Sequence, residues 1–334
     1  MSKINTDNKI DFVITWVDGN DPEWQEEFIK YKKLEGGDTR VNRFRDYGTL
    51  KYWFRAVEKY APWVNNIYFI TCGQCPEWLN TDNPKLKLIN HRDYVPEEYL
   101  PTFSSLTIEW SFHRIEGLSE QFVYFNDDMF ITAPTKPTDF FKNGRPRNSV
   151  IMDYTLPTSE PWYLRPTINA AVLNRNFNKR EVVRKNFWKM FNPKNGIYVI
   201  KNFQFAFDNR IPGFIACHLP TNLLKSVFKK VVETEPQVIH DTCVNKFRKP
   251  IGVNQWLVKD WQTCMGLDIP KRFSEAHCFH FYKQSDLEKA VKAIKKQKYK
   301  IICMNDHIED FDTAVVKLQE AFESIYPEKS SFEK

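Results

Sequence analysis

The sequence predicts an α/β fold in which helices flank a mostly parallel sheet. In the first half of the chain, apolar segments of strand length alternate with segments of helical length, an order that produces parallel strands. The predicted strands are apolar on both faces, as expected where helices cover both sides of a sheet. Hydrophobic residues make up 42% of the chain and aromatic residues 15%, enough for a large core. We therefore expect a Rossmann-like architecture with a helical segment inserted before the last strand.

The first half supplies these elements in order. The run IDFVITWV, residues 10–17, predicts a buried strand, and turn residues after it lead into a polar helix near 22–34. The segment TLKYWFRAVEKY places its apolar side chains on one helical face. The next predicted elements are strands in NNIYFITC and KLKLIN, a helix at 106–115 and a strand in EQFVYFN. Ligands bind beyond the carboxyl ends of the strands in such sheets.

The second half is less regular. Residues 135–215 contain PTKPTDFF, NGRPRNS and isolated prolines, which predicts loops over the edge of the sheet. Three helices are predicted between 221 and 298, and the last begins at SDLE, where Ser285 and Glu288 form a capping-box pattern. The segment YKIICMND, 299–306, predicts a return strand before a final helix. We expect a single domain over 8–327, made of an α/β part (8–150), a loop-rich and helical part (151–298) and a closing strand and helix (299–327), with a tail at 328–334.

Composition excludes several classes of protein. Lys and Arg number 48 against 42 Asp and Glu, a net charge of +6 that favours anionic ligands but is too small for a nucleic-acid-binding arm. The N-terminal segment MSKINTDNKI is polar, and the apolar runs are shorter than the roughly 20 residues of a membrane helix, so we expect a cytoplasmic protein. The seven cysteines lie mostly in apolar runs, which predicts reduced thiols.

Acidic and amide side chains follow three of the predicted strands: WVDGND at 16–21, YFNDDMF at 124–130 and CMND at 303–306. Asn, Asp and Gly also dominate helix N-caps and turns, so one such motif alone is ambiguous. Three at the same edge of a sheet favour a site that gathers oxygen ligands, which hard cations such as Mg²⁺ prefer. The adjacent carboxylates Asp127 and Asp128 also need a compensating positive charge.

Other polar residues have two interpretations each. His218, in FIACHLPTNLLK, is either a core histidine or a general base, and Pro220 predicts that a helix begins there. Arg248 and Lys225 are either solvated or phosphate-binding. The segment HCFH at 277–280 lacks further ligands at zinc spacing, so we assign it a structural role. The basic stretch EKAVKAIKKQKYK, 288–300, is either a solvated helix face or a weak peripheral membrane contact.

Over nearly its whole length the chain resembles the Stealth family of sugar-1-phosphate transferases. Four regions carry the resemblance: IDFVITWVDGNDPEW; RFRDYGTLKYWFRAVEKYAPWVNNIYFITCGQCPEWLN with LINHRDYVPEEYLPTFSSLTIEWSFHRIEGLSEQFVYFNDDMFI; HLPTNLLK with NKFR; and CMND. The family includes bacterial capsule and cell-wall polysaccharide phosphotransferases and the catalytic domain of an animal GlcNAc-1-phosphotransferase. Ser104 stands where many members have Asn, whereas Glu109 is kept.

The resemblance implies that an acceptor hydroxyl attacks the phosphorus attached to the sugar of a UDP-sugar, so that UMP leaves and a phosphodiester forms. It implies a divalent cation, Mg²⁺ or Mn²⁺, no nucleic-acid partner, and an oligosaccharide or lipid-linked glycan acceptor at the inner face of the plasma membrane. The expected residues are His218, Asp128 and Arg248 for catalysis; Asp18, Gly19, Arg43, Arg45, Asn126, Lys225 and Asn305 for donor binding; and Asp127, Asp128 and Asp306 for the metal. The alternatives are a metal-dependent glycosyltransferase that releases UDP and a non-catalytic carbohydrate-binding module.

Overall fold

The computed structural model describes residues 9–40, 44–155, 164–205 and 208–334. The strands are β1 Ile10–Thr15, β2 Ile67–Thr71, β3 Leu86–Asn90, β4 Gln121–Phe125, β5 Met129–Ile131, β6 Phe141–Lys142, β7 Arg145–Pro146, β8 Thr221–Leu224, β9 Ala276–Phe281 and β10 Ile301–Asp306. The helices are α1 Pro22–Leu34, α2 Leu50–Tyr60, α3 Ser105–Trp110, α4 Pro137–Phe140, α5 Leu164–Asn176, α6 Lys179–Met190, α7 Val199–Gln204, α8 Lys225–Thr234, α9 Pro236–Cys243, α10 Trp256–Cys264, α11 Gln284–Lys295 and α12 Phe311–Glu323.

The central sheet has five strands in the order β3-β2-β1-β4-β8. The first four are parallel, and all residues of β2 and β4 are buried, which confirms the predicted α/β class with a mostly parallel sheet flanked by helices. The fifth strand, β8, runs antiparallel to β4 and pairs Thr221 with Tyr124. The residues that precede β8 therefore lie at the same edge of the sheet as the residues that follow β4.

A second, three-stranded sheet continues from the same edge in the order β5-β10-β9. Residues Asn126–Asp128 form the tight turn from β4 into β5, closed by a hydrogen bond of 3.1 Å from the Met129 amide to the Asn126 carbonyl. Strand β10 lies between β5 and β9, antiparallel to the first and parallel to the second. The carboxyl end of β10 is thereby brought beside the turn.

Two groups of buried side chains hold the elements together. The main core contains most of the sheet and the inner face of α2, with ring contacts such as Phe12 to Phe125 at 4.8 Å between centroids. The second is a small aromatic cluster of Trp24, Phe28, Phe103 and Phe247. Because Phe247 is fully buried in this cluster, the residue after it is held in a fixed position.

Several predictions about the second half are wrong. The chain after Pro220 forms strand β8, not a helix, because Leu223 and Leu224 pair with β4. The segment 135–215 contains α5, α6 and α7; their buried faces carry asparagines, so the apolar periodicity that predicts a helix is absent. Helix α11 exists, but it begins at Gln284 and its N-cap residue makes no side-chain hydrogen bond.

Strand β9 also lies where only helices were predicted. Among the helices of the described residues, none combines the length and the apolar character required to cross a bilayer.

Candidate active site

The turn between β4 and β5 places two carboxylates at the edge of the sheet. Because Asp127 and Asp128 lie in the turn, neither has to point from a strand into the core. Asp128 contacts two side chains that arrive from the second half of the chain: His218 Nε2 lies 3.1 Å from its Oδ2, and the Cys303 thiol donates to the same oxygen at 3.3 Å. The antiparallel direction of β8 delivers His218, and β10 delivers Cys303.

These contacts shift the pKa values of the group in opposite directions. Desolvation alone would raise the pKa of Asp128, but the His218 charge and the hydrogen bonds from His218 and Cys303 hold it below its ordinary value. For His218, desolvation lowers the pKa while Asp128 raises it, and the net pKa is above the ordinary value. Desolvation in the crowded cleft, with the charges of Asp128 and Asp46, raises the pKa of Asp127 to about 7, although Asp127 itself is exposed.

The carboxyl end of β10 supplies Asn305 and Asp306. Arg45 Nη2 donates to Asp306 Oδ2 at 2.6 Å, and the guanidinium also lies over the Phe311 ring, 4.4 Å from its centroid. Asn305 Nδ2 lies 3.2 Å from His280 Nδ1 on the neighbouring strand. The Arg45–Asp306 ion pair therefore joins two expected site residues, but it leaves Asp306 less free to bind a metal.

Arg248 approaches from the opposite wall of the cleft. Its neighbour Phe247 is fixed in the aromatic cluster, with ring centroids 5.1 Å from Phe103 and 5.5 Å from Phe28. Arg248 Nη2 donates to Ser105 Oγ at 2.7 Å. The buried Glu109 faces this arginine, and its burial raises the pKa of the carboxyl to about 6 against the lowering effect of the Arg248 charge.

Asp18 and Gly19 have structural roles in the described chain. The Asp18 amide donates to Gln74 Oε1 at 2.8 Å, and its carboxylate accepts from the Asn20 amide at 2.9 Å, which is a local turn. A Cβ at Gly19 would lie 2.3 Å from the Phe44 carbonyl oxygen, so only glycine permits the chain to pass there. Within the described residues, neither lines the two cavities described below.

Another expected donor-binding residue, Lys225, lies away from the group. Lys225 follows β8, and because β8 is antiparallel, Lys225 lies at the opposite edge of the sheet from the turn. Its Nζ donates to the Ile115 and Leu118 carbonyls at 2.8 and 3.3 Å, so it stabilises a loop there. Arg43 lies outside the described residues.

The site residues line two adjoining cavities. The smaller one has a volume of about 120 Å³ and is lined by Arg45, Asp46, Asn126, Asp127, Asp128, His218, Arg248, Asn305 and Asp306, among others. The larger cleft has a volume of about 1340 Å³ and carries the cations Arg165, Lys194, Arg248, Arg272 and Lys298. Its described lining includes a single carboxyl residue, Glu109. The residues common to both are Asn126, His218, Arg248 and Asn305, so the group around Asp128 lies where an acidic pocket meets a basic cleft.

Strand β9 brings in residues that sequence reasoning assigned a structural role. His277, Cys278 and His280 line the large cleft, and Cys278 is paired in register with Cys303. The sequence signal for a strand is weak, because the two histidines of AHCFHF are three positions apart and break the apolar–polar alternation of a half-buried strand. The strand was missed because the segment was included in a region predicted to be helical.

The polar atoms around Asp128 fit a divalent cation. Ligand atoms of Asp128, His218 and Cys303 lie within 4.8 Å of one another. In addition, Asp128 Oδ1 and Asn126 Oδ1 are buried without a hydrogen-bond partner in the described part of the chain. Two unpartnered oxygens suit a hard cation, whereas the imidazole and the thiol suit zinc or another transition metal. The donor set thus supports a divalent cation without identifying it.

The fold and the cleft together define an α/β protein with a candidate site at the carboxyl edge of its sheet, where clustered cations favour anionic groups. The chain belongs to the Stealth family. Three models of that family match it: Stealth protein CR1, conserved region 1, at residues 8–35; CR2, conserved region 2, at 43–148; and CR4, conserved region 4, at 292–334. The turn carboxylates and the end of β10 fall inside these ranges, and His218 and Arg248 fall outside them.

Curated relatives resemble the chain over almost its full length. The capsular polysaccharide phosphotransferase WcwK of Streptococcus pneumoniae is 42% identical over 98% of this chain and 99% of its own length. The receptor polysaccharide phosphotransferase WefC of Streptococcus oralis is 37% identical over 98% of this chain and 99% of its own. The exopolysaccharide phosphotransferase cps2G of Lactiplantibacillus plantarum is 37% identical over 97% of this chain and 96% of its own length.

Proposed function

We propose that this protein is a phosphotransferase of capsular or exopolysaccharide synthesis that transfers a sugar-1-phosphate from a UDP-sugar to a hydroxyl of a glycan acceptor. Its full-length similarity to polysaccharide phosphotransferases supports the reaction class. The observation that carries the proposal is the position of His218, Asp128 and Arg248 where the acidic pocket meets the basic cleft. A transferase requires two substrates to meet at such a point.

The two cavities suit different parts of the reaction. The larger cleft, at about 1340 Å³, has room for a nucleotide sugar or several sugar units, and its cations suit phosphate groups. The smaller pocket, at about 120 Å³, has room for little more than a phosphate group with its bound ion. We therefore place the reacting phosphorus beside Asn126, His218, Arg248 and Asn305, which border both.

The reaction forms a bond between the acceptor oxygen and the phosphorus attached to the sugar. The bond from that phosphorus to the bridging oxygen breaks, and UMP leaves with the electron pair. His218 accepts the acceptor's proton when its imidazole is neutral, and Asp128, 3.1 Å away, orients the ring and stabilises its charged form. Arg248 neutralises negative charge on the phosphoryl oxygens. A divalent cation at Asp128, with Asp127 and the Asn126 amide oxygen, would neutralise charge on the diphosphate.

Arg45 and Asp306 have a positioning role in this scheme. Their ion pair links the segment before α2 to the end of β10, and Arg45 also lines the small pocket. A phosphate group that enters the pocket competes with Asp306 for the Arg45 guanidinium. Arg45 therefore binds the donor when its ion pair with Asp306 breaks. A lipid-linked acceptor would bring the protein to a membrane surface, so peripheral membrane contact is part of the proposal.

The test is to identify the nucleotide that is released. Purified protein is incubated with Mg²⁺, Mn²⁺ or Zn²⁺, a panel of UDP-sugars and short glycan acceptors, and the products are analysed by mass spectrometry. UMP together with a phosphodiester product is expected, whereas UDP would show glycosyl transfer and overturn the proposal. Arg248→Met and Lys225→Met form a matched pair, because both replace a cation expected at the site. Only Arg248→Met is expected to reduce turnover, since Lys225 lies at the opposite edge of the sheet.

A further inference from the structure

We infer that residues 187–203 form a docking surface for an anionic lipid bilayer and thereby bring the large cleft to the membrane. The inference rests on the proposed transferase function, because that function gives the membrane contact its purpose. The binding itself is measured without catalysis. The surface, here called the aromatic patch, consists of Phe187, Trp188, Ile197, Tyr198, Ile200 and Phe203.

The aromatic patch concentrates apolar side chains that face outward. Trp188 is 83% exposed, Ile197 77%, Ile200 64% and Phe203 59%. The described residues include fourteen exposed large apolar side chains, and six of them fall within these seventeen positions. Scattered exposed apolar residues are ordinary, whereas a contiguous group indicates an interaction surface.

Ring contacts join the aromatic side chains of α6 and α7. Phe191 lies between α6 and α7, with ring centroids 5.0 Å from Phe187 and 4.5 Å from Phe203. Trp188 extends the group from Phe187, at 5.2 Å between centroids. The exposed side chains of the two helices are thus held side by side.

The inner face of the same segment carries buried asparagines beside the apolar Met190. Asn186, Asn195 and Asn202 are each at most 1% exposed. The Asn202 amide donates to the Val150 and Met190 carbonyls at 3.0 and 2.8 Å, and its oxygen accepts from the Met152 amide at 2.7 Å. Asparagines inside and aromatic residues outside reverse the arrangement of a water-facing helix. Since these hydrogen bonds fix the polar face inward, the apolar face cannot rotate into the core.

The charges around the aromatic patch match an anionic surface. Between residues 179 and 204 the sequence has seven Lys and Arg and one acid, Glu181. Arg180, Arg184, Lys185 and Lys194 are exposed beside the apolar side chains. An amphipathic surface with aromatic residues and flanking cations is typical of proteins that bind in the interfacial region of a bilayer.

The patch is continuous with the candidate active site. Pro193, Lys194, Gly196, Ile197 and Tyr198 line the large cleft, which also contains His218 and Arg248. A bilayer against the patch therefore lies at one wall of that cleft. A glycan attached to a membrane lipid would enter the cleft from this side, with the lipid remaining in the bilayer.

Helix α11, the basic segment first considered for membrane contact, lacks such a surface. Its apolar residues Leu287, Ala290, Ala293 and Ile294 are buried. Its lysines are exposed, but the helix has no exposed apolar side chains beside them that could insert into a bilayer. Helix α11 therefore provides a control of similar charge.

The experiment is vesicle flotation of the full chain without nucleotide or acceptor. Vesicles of phosphatidylcholine alone are compared with vesicles that contain about 30% phosphatidylglycerol, an anionic fraction that attracts basic surfaces. The test variant combines Trp188→Ser and Ile200→Ser, neither of which lines the cleft. The control variant combines Lys292→Gln, Lys295→Gln and Lys296→Gln on α11.

We expect the wild-type protein to float with anionic vesicles, the α11 variant to float equally well, and the patch variant to lose at least about 10-fold of the bound fraction. An unchanged thermal transition shows that the patch variant is folded. Equal flotation of the patch variant, or no flotation of the wild type, overturns the inference. A wild-type dimer that the patch variant converts to a monomer, by light scattering, also overturns it and assigns the patch to contact between copies. Because flotation requires no turnover, a failure to detect UMP release would not change the interpretation of this experiment.

Discussion

Gly37 gives a sharp test of how Arg248 is positioned. A Cβ at Gly37 would lie 2.5 Å from Phe247 Cβ and 3.3 Å from the Arg248 carbonyl oxygen. Since ordinary contacts begin near 3.4 Å, Gly37→Ala must move the Phe247–Arg248 segment by about 0.9 Å. The neighbouring Gly36→Ala is a matched control, because nothing lies within 4 Å of its added Cβ.

The displacement has two expected costs. Overpacking of this kind costs about 1–3 kcal/mol of unfolding free energy, and at about 2 °C per kcal/mol for a chain of this size the thermal midpoint falls by about 2–6 °C. A displacement of about 1 Å in a residue that binds the reacting group costs about 10²-fold in turnover. Gly36→Ala should change neither quantity appreciably.

The assay is UMP release at saturating substrate, with thermal unfolding measured on the same samples. If Gly37→Ala retains turnover within about twofold of wild type while its midpoint falls as expected, Arg248 does not act from its fixed position and the proposed role is refuted. Equal losses in Gly36→Ala and Gly37→Ala would instead show that the contact with Phe247 is not the cause.

Three further predictions concern the site and the core. If His218 is the base, His218→Ala should reduce turnover by about 10² or more and leave the amount of bound metal unchanged. The metal is measured by elemental analysis after dialysis, and its loss in the variant would make His218 a ligand. Arg45→Met should raise the KM for the UDP-sugar and cost more than about 1 kcal/mol of stability, because the Arg45–Asp306 pair is mostly buried and the substitution leaves Asp306 unpaired with Arg45. An unchanged KM would remove Arg45 from donor binding. Asp268 is buried, and burial raises the pKa of its carboxyl from 3.8 to about 6. Because the pKa of this carboxyl is higher in the folded than in the unfolded protein, its contribution to stability is fully present below the unfolded-state pKa. This contribution is lost as pH rises through about 6. The unfolding free energy of wild type relative to Asp268→Asn should therefore fall by about 3 kcal/mol between pH 3.5 and pH 7, and a pH-independent difference would contradict the shift.

The predicted architecture was confirmed where local pattern and tertiary environment agree. The apolar strands β1, β2 and β4 are buried on both faces, so composition alone indicates their type. The pattern failed in α5 to α7, where buried polar residues such as Asn169 and Asn202 find their hydrogen bonds in distant parts of the chain. A sequence window contains no information about those partners, so polar composition was interpreted as loop.

The site was predictable to a similar extent. The position of the carboxylates after β4 follows from the rule that ligands bind at the carboxyl edge of a parallel sheet, whereas the end of β10 reaches them through a second sheet that the sequence did not predict. The position of His218 depends on the direction of β8, which the sequence does not reveal, because an antiparallel edge strand and a parallel one have the same composition. The same strand explains why Lys225 lies away from the turn, since reversal of β8 sends its two ends to opposite edges. The individual roles of the site residues stay predictions.

The site brings together residues from nearly the whole length of the chain. Arg45 and Asp306 are 261 positions apart, and His218 reaches Asp128 across 90 positions. A ribosome adds residues from the N-terminus, so the paired aspartates are made long before the side chains that neutralise them. The nascent chain therefore carries the acidic turn without its histidine partner until residue 218 has been synthesised, and without the Cys303 hydrogen bond until β10 has been made. Catalytic competence would then arise in the last stage of folding, and a truncated product that ends before residue 301 would contain Asp127, Asp128 and His218 yet lack Cys303 and Asp306 of the finished site.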